Sequence, residues 1–291
     1  MLAALLLAIA PPQPAPIICN ETFRDLPRHR DVKVRIRVPP GSGTAPVILY
    51  SHGLGGTLDT GTHWVEAWAA AGFFVVNIDH PGSDARAVEK DGPAAASTPA
   101  ELLQRAYDVS FVLDALAERA KAKGCQLDRA DLNHVGMAGH SFGAELTFAV
   151  AGQSFGGKRA ELREPRIDAA IGLSAAPPLA HVISDKASYR FVTIPVMTVA
   201  GSRDFVPLTV TRPRDRIRPF HAMPPGGKYL LWLDGASHSN TDGWGMPRIH
   251  PIVIRATTLF WRWTLMGDTG AKAELDAGDP ALGPKDRFEV R

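Results

Sequence analysis

The sequence is poor in features that mark several classes of protein. Its 291 residues include only two cysteines, too few for a disulfide framework or a zinc module with several cysteine ligands. Lysine and arginine number 32 and aspartate and glutamate 30, so the net charge is only +2. The basic surplus of a nucleic-acid-binding protein is missing, and no nucleic-acid partner is predicted.

Motifs for metals and organic cofactors are missing as well. The ten histidines are scattered, without a His-x-x-Glu-His pattern or a closely spaced cysteine pair that would bind zinc. The glycine-rich residues 51–56 (SHGLGG) lack the lysine of a phosphate-binding loop, and no dinucleotide fingerprint follows the first buried strand. The sequence therefore predicts no metal and no cofactor.

The apolar run at the start of the sequence is short. Residues 2–10 (LAALLLAIA) are about half the length of a membrane span, so no stable span is predicted. The run resembles the apolar core of a secretory signal, ends in a small-x-small pattern and precedes a proline-rich stretch. We therefore expect residues 1–19 to be a leader and tether of an exported protein, periplasmic or secreted, with a cytoplasmic protein as the alternative. Export would permit a disulfide between Cys19 and Cys125.

Short apolar runs alternate with helical patterns along the rest of the chain. Residues 32–38 alternate apolar and charged side chains, as a strand with one wet face does. Continuous apolar runs, typical of strands buried on both faces, cover residues 47–50, 73–78, 134–138, 169–173, 195–200 and 229–233. This pattern predicts an α/β fold, with a mostly parallel twisted sheet, antiparallel N-terminal strands and helices on both faces. We expect a single domain over residues 20–267 and a polar surface tail over residues 268–291.

The segment with the most specific chemical signal is residues 139–143 (GHSFG). It follows a predicted strand and opens a predicted helix, which is the setting of a nucleophile elbow. Such a turn needs small residues on both sides and exposes the hydroxyl of its central residue, here Ser141. The alternative is a glycine-rich turn with a capping serine.

A serine nucleophile needs a base and an acid that orients the base. In this kind of fold they follow the serine in the order acid, then histidine. Asp204 comes just after the predicted strand 195–200, and His238 comes just after the strand 229–233. We therefore predict Asp204 as the acid and His238 as the base, with Asp215 and Asp234 as rival acids. The alternatives are a helix-capping Asp204 and a surface His238.

The same fold would require two backbone N–H groups that stabilise an oxyanion. We predict that they belong to Leu54, in the glycine-rich loop after the first parallel strand, and to Phe142. Trp64 and Trp244 are weaker candidates for walls of the substrate pocket, ordinary packing being the alternative. The arginine-rich residues 212–218 are expected to be a solvated surface.

Several blocks of the sequence resemble the α/β-hydrolase superfamily. They are SHGLGG (51–56), IDHPG (78–82), GHSFG (139–143), GSRD (201–204) and ASH (236–238). The resemblance covers most of residues 20–265. It is strongest to the predicted dienelactone hydrolase and platelet-activating-factor acetylhydrolase-like branch, near the bacterial polyester hydrolases. It implies an α/β-hydrolase fold, Ser141, Asp204 and His238 as a catalytic triad, and Leu54 and Phe142 as oxyanion donors.

These observations together predict a serine carboxylic-ester hydrolase that acts through an acyl-enzyme on small or short-chain esters. Its partner would be a small-molecule ester. A serine peptidase or amidase is the alternative within enzymes, since the same triad cleaves amides. A non-catalytic binding protein on the same fold is the alternative outside enzymes. The acyl length and the oligomeric state stay open.

Overall fold

The structure is a computed structural model that describes residues 15–120, 124–178, 182–206 and 209–291. The predicted signal segment, residues 2–10, lies outside the described residues. No helix among the described residues is long and apolar enough to cross a membrane.

A nine-stranded sheet forms the centre of the described part of the chain, in the order β1-β2-β4-β3-β5-β6-β7-β8-β9. Its strands are β1 (Ile17–Asp25), β2 (Arg30–Val38), β3 (Ala45–Ser51), β4 (Phe74–Asp79), β5 (Ala130–His140), β6 (Ile167–Leu173), β7 (Val196–Arg203), β8 (Lys228–Ser237) and β9 (Arg287–Val290). Strands β3 to β8 are parallel to one another, while β1, β2 and β9 pair antiparallel with their neighbours. The predicted α/β class with antiparallel N-terminal strands is confirmed.

Helices cover both faces of this sheet. They are α1 (Thr62–Ala70), α2 (Ala85–Asp91), α3 (Pro99–Arg119), α4 (Phe142–Ala151), α5 (Asp185–Tyr189), α6 (Arg218–Ala222), α7 (Ile249–Met266) and α8 (Thr269–Asp276). The core has one layer between the sheet and helices α1, α7 and α8, and another between the sheet and helices α3 and α4. Because β4 is buried along its whole length, its run of apolar residues has partners on both faces.

A disulfide joins β1 to the segment that precedes β5. Cys19 and Cys125 are bonded, with their Cα atoms 6.1 Å apart. Since β1 begins at Ile17, the ordered sheet starts inside the stretch predicted to be a tether.

The prediction of a polar surface tail over residues 268–291 is wrong. The side chain of Asp268 caps α8, which packs on α7 and buries Ala271 and Leu275. Strand β9 then extends the sheet, with Phe288 opposite Leu231 and packed on the core. Helix α8 and strand β9 each bury only one side, so charged residues separate their few apolar positions. The composition of the segment is therefore polar, although both elements pack on the core.

Candidate functional site

Ser141 lies on a strained turn between β5 and α4. Its backbone φ of 54° and ψ of −118° place it in a region that residues other than glycine rarely adopt. A Cβ at Gly139 would overlap the Gly143 carbonyl, and a Cβ at Gly143 would overlap the Ser51 carbonyl. The two flanking glycines therefore allow the strand, the helix and β3 to approach closely enough to form this turn.

The turn brings Ser141 into a hydrogen-bonded chain with His238 and Asp204. The Ser141 hydroxyl donates to Nε2 of His238 at 2.9 Å, and Nδ1–H of His238 donates to Oδ1 of Asp204 at 2.8 Å. Asp204 and His238 each follow directly after a parallel strand, β7 and β8, so both lie at the same sheet edge as Ser141. All three residues singled out in the sequence thus meet at this edge.

The rival acids take part in other contacts. Asp215 accepts a hydrogen bond from the Arg212 backbone N–H at 2.9 Å, within the 3-10 helix Pro213–Ile217. Asp234 accepts from the Ser202 hydroxyl at 2.9 Å. Neither carboxylate bonds to His238 among the described residues.

Asp204 is held by a buried arginine that the sequence did not reveal. Nε of Arg216 lies 2.8 Å from Oδ1 of Asp204, and Nη1 donates to the Ser174 carbonyl at 2.6 Å. Burial alone raises the pKa of Asp204, but the hydrogen bond from His238 and the charge of Arg216 outweigh it and lower this pKa. Asp204 therefore stays ionised. The expectation of a solvated surface over residues 212–218 is wrong for Arg216, which is 2% exposed.

His140 and Thr241 fix the backbone of His238. The carbonyl of His238 accepts hydrogen bonds from Nε2–H of His140 at 3.0 Å and from the Thr241 hydroxyl at 2.7 Å. Burial, followed by the nearby His238, lowers the pKa of His140 to about 3, so this ring is neutral and donates through Nε2. Ser174 Oγ lies 2.7 Å from Nδ1 of His238 and adds a further polar neighbour.

The glycine-rich loop after β3 lies beside the Ser141 turn. A Cβ added to Gly53 would come within 3.3 Å of the Cβ of Ser141. The backbone N–H of Leu54 donates to no carbonyl of the described residues, and Phe142 is the first residue of α4, where N–H groups have no partner within the helix. Among the described residues, both N–H groups proposed from the sequence therefore lack a backbone acceptor, and Leu54 and Phe142 line the same cavity as Ser141.

One guanidinium links the two segments that carry these N–H groups. Arg105, on α3, is fully buried and donates to the His52 carbonyl at 2.7 Å and to the Ser83 hydroxyl at 2.7 Å. The same guanidinium stacks on the Phe142 ring, with its carbon 4.5 Å from the ring centre. Arg105 thus contacts the glycine-rich loop on one side and the first residue of α4 on the other.

A second serine, histidine and aspartate chain lies beneath this loop. Nδ1–H of His80 donates to Asp108 at 3.0 Å, and the Ser51 hydroxyl lies 3.0 Å from Nε2 of His80. The backbone N–H of His80 donates to Nε2 of His52 at 3.1 Å and so holds the start of the loop. Ser51, His80 and Asp108 are all fully buried.

The Ser141 hydroxyl opens on a cleft of about 890 Å³. Ser141, His238, Leu54 and Phe142 are among its lining residues. Neither tryptophan predicted as a wall lines it. Trp64 is fully buried in the core and donates through Nε1 to the Thr241 carbonyl at 3.1 Å, while Trp244 is 68% exposed. Trp64, Val65 and Trp68 form one buried face of α1, a spacing that indicates packing.

This arrangement suits chemistry that begins with a proton transfer from a serine. The imidazole of His238 can accept the hydroxyl proton, an ionised carboxylate supports the imidazolium that forms, and the two residues with unpaired N–H groups line the same cavity. Over the residues that the structure describes, no three histidine, cysteine, aspartate or glutamate side chains cluster in a way that would hold a metal ion. Neither the models of known protein families nor the curated proteins gave a match to this chain.

Proposed function

We propose that the protein is a serine carboxylic-ester hydrolase with the α/β-hydrolase fold. The observation that carries the proposal is the hydrogen-bonded chain Ser141–His238–Asp204, whose serine lies on a strained turn and opens on a cleft. The order of the three residues and the strand ends that carry them agree with that fold. The sequence blocks that resemble the acetylhydrolase-like branch lie at these same loops.

Acylation begins when Ser141 Oγ attacks the carbonyl carbon of the ester. The hydroxyl proton passes to Nε2 of His238, and the bond between the carbonyl carbon and the alcohol oxygen then breaks as His238 returns the proton to the leaving alkoxide. Asp204 keeps the imidazole in the tautomer that presents Nε2 as acceptor, and it stabilises the imidazolium. Water attacks the acyl-enzyme in the same way and releases the acid and free Ser141.

The developing oxyanion would be stabilised by the backbone N–H groups of Leu54 and Phe142. They come from two different segments, so their spacing depends on how the glycine-rich loop packs against α4. Fixed N–H donors in a site sheltered from water stabilise an oxyanion without reorganisation during the reaction. Arg105 would act as a positioning residue for both segments.

The disulfide supports the proposal that the protein is exported. Cys19 and Cys125 are bonded, and disulfides persist in the periplasm and outside the cell, while cytosolic thiols are kept reduced. Cell fractionation, followed by mass analysis of the protein in each fraction with and without a reductant, tests this; reduced protein confined to the cytoplasm would contradict export.

Hydrolysis of p-nitrophenyl acetate, followed by labelling with a fluorophosphonate, tests the function. We expect turnover by the wild-type protein and a single covalent label on Ser141. Labelling at another serine would refute the assignment. A parallel assay with the matching p-nitroanilide separates an esterase from an amidase, and a protein that binds esters without turnover would be a binding protein.

A further inference from the structure

A side pocket of about 310 Å³ adjoins the cleft in front of Ser141. Its walls are largely apolar, formed by Pro99, Leu102, Phe155, Pro177, Val182 and Ile183. Its volume falls at the low end of the roughly 300–1,000 Å³ that is usual for pockets that bind small molecules. The pocket therefore has room for one apolar chain.

Glu145 stands where the two cavities meet, since it lines both of them. It lies four residues after Ser141, one turn along α4, and its backbone N–H donates to the Ser141 carbonyl at 3.1 Å. The position of the carboxylate is thus tied to that of Ser141.

Within the described residues, the Glu145 carboxylate accepts no hydrogen bond, in contrast to the other polar side chains around the pocket. Ser97 donates to the Pro93 carbonyl, Thr98 accepts from the Glu101 backbone N–H and Gln153 donates to Ser188. A poorly solvated carboxylate without a partner is unfavourable in its charged form. Glu145 is therefore the titratable group of this pocket that no hydrogen bond holds in its charged form.

Three other titratable groups act on Glu145 from the elements around it. The positive charges of Arg216 and Arg105 favour its ionised form. The buried Tyr189 on α5 is close enough that the charge of Glu145 helps to raise the pKa of its hydroxyl. Burial is the largest influence and raises the pKa of Glu145 to about 7. The carboxyl group is mostly neutral below that pH and mostly charged above it.

We propose that the side pocket binds one apolar chain of the substrate ester and that Glu145, at its mouth, sets how strongly longer chains are preferred over short ones. This inference rests on the proposed ester hydrolysis and specifies its substrate class. Each methylene that enters the pocket adds up to about 0.8 kcal/mol of binding. A charged carboxylate at the mouth opposes this, because the entering chain removes water from it.

A series of p-nitrophenyl esters with two to eight acyl carbons, and a series of alkyl acetates, test the proposal. For the series whose chain enters the pocket, kcat/KM rises about three- to fourfold per methylene until the pocket is full. The series in which kcat/KM rises with chain length identifies either the acyl chain or the alcohol chain as the occupant of the pocket. If neither rises, the pocket does not bind the chain and the inference fails.

The role of Glu145 is tested by the ratio of kcat/KM for a long and a short ester, measured from pH 5.5 to 8.5. Any pH effect on the triad slows both esters equally, so it cancels in the ratio. We expect the wild-type ratio to fall by about tenfold as Glu145 ionises near pH 7. In Glu145→Gln the ratio should stay high at every pH, and a retained decline would overturn the role of Glu145.

Asp242 offers a matched control for this titration. Burial raises its pKa to about 7 as well, but it lines the main cleft and not the side pocket. Asp242→Asn should therefore keep the decline of the ratio. A flat ratio in Asp242→Asn, with a decline kept in Glu145→Gln, would assign the effect to Asp242 and overturn the proposal.

Filling the pocket tests its use directly. Ile183→Trp should remove the preference for longer chains and leave hydrolysis of the acetyl ester within about threefold of wild type. Leu26→Trp, at an exposed site outside the pocket, should change neither. An unchanged preference in Ile183→Trp overturns the inference alone, whereas no turnover of any ester by the wild-type protein overturns the proposed function as well.

Discussion

Two serine, histidine and aspartate chains with nearly equal hydrogen-bond lengths lie on either side of the glycine-rich loop. Ser141, His238 and Asp204 are joined at 2.9 and 2.8 Å, while the chain of Ser51, His80 and Asp108 is joined at 3.0 Å in both places. The first opens on the cleft, and the second is sealed in the core.

Their surroundings differ more than their geometry. Arg28 and Arg30 bind the Asp108 carboxylate at 2.9 and 3.0 Å, and Arg105 approaches the Ser51 hydroxyl. Burial lowers the pKa of His80 to about 3 despite Asp108, so His80 stays neutral. With no space for a substrate, the buried chain can only support the loop above it. Three features distinguish the Ser141 chain from the Ser51 chain: its serine opens on the cleft, lies on a strained turn and is near residues whose N–H groups have no backbone partner among the described residues. The hydrogen-bond lengths do not distinguish the two chains.

Replacing each serine by alanine should separate the two chains most strongly. Ser141→Ala is expected to lower kcat by about 10⁴- to 10⁶-fold at unchanged stability, because triad members act as a unit. Ser51→Ala should keep kcat within about tenfold but lower the free energy of unfolding by about 1–3 kcal/mol, since it leaves buried partners unsatisfied. Ester kinetics and urea unfolding measure both. Equal losses of kcat in the two variants would contradict the distinction.

The aspartates should differ in the same direction. Asp204→Asn is expected to lower kcat by about 10³- to 10⁴-fold, because the imidazole loses its tautomer and its counter-charge. Asp108→Asn should mainly destabilise, by about 3–5 kcal/mol, since it leaves Arg30 without a carboxylate and Arg28 with Asp25 alone. Asp215→Asn and Asp234→Asn are the controls, and a large loss of kcat in either would move the acid to that residue.

Arg105 connects the two chains and should show an intermediate effect. Arg105→Met is expected to lower kcat by about 10²-fold with a smaller change in KM, because the N–H groups of Leu54 and Phe142 lose their common support. Arg105→Lys keeps the positive charge but lacks the planar guanidinium with its several N–H donors, so it should recover only part of the lost kcat. Arg129→Met, at another buried arginine remote from the cleft, controls for stability. If KM rises while kcat is unchanged, the positioning role is wrong.

Acidification should lower the free energy of unfolding gradually through His80, and this effect should be smaller than those of the substitutions above. The pKa of His80 falls from 6.5 to about 3 on folding, so below pH 6.5 the unfolded chain takes up a proton that the folded protein does not. Stability is therefore complete above pH 6.5 and is lost as the pH falls toward 3, with a slope of up to about 1.4 kcal/mol per pH unit. Urea unfolding of wild type and His80→Asn between pH 4 and 7 should show a shallower slope in the variant. Parallel curves would disprove this.

The sequence predicted the parts of the site that depend on local turns. Ser141, Asp204 and His238 each come directly after an apolar strand, and parallel strands bring their ends to one edge, so the order of elements was enough to place them together. The sequence does not indicate the roles of Arg105, Ser174 and Arg216, because their partners lie 12 to 64 residues away and a polar side chain gives no local sign that it is buried.

Strand β9 and helix α1 show where sequence patterns mislead and where they suffice. Phe288 packs on the core through a four-residue strand, too short for a pattern of period two to stand out from its charged neighbours. The prediction of Trp64 as a pocket wall is wrong, and its spacing from Trp68 indicates the buried helical face that the structure shows. Helical spacing therefore indicates reliably which side of α1 is buried. The polar composition of residues 268–291, in contrast, does not indicate that they leave the fold.

Strand β9 has a consequence for how copies of this protein meet in concentrated solution. Without it, the long parallel strand β8 would present a row of unpaired N–H and C=O groups, which is a template for pairing between molecules. The outermost strand is instead four residues long and carries Arg287 and Glu289, joined by an ion pair at 2.8 Å. Removing residues 287–291 would expose the edge of β8 at Tyr229–Trp232, and the protein should then aggregate by sheet extension along this strand.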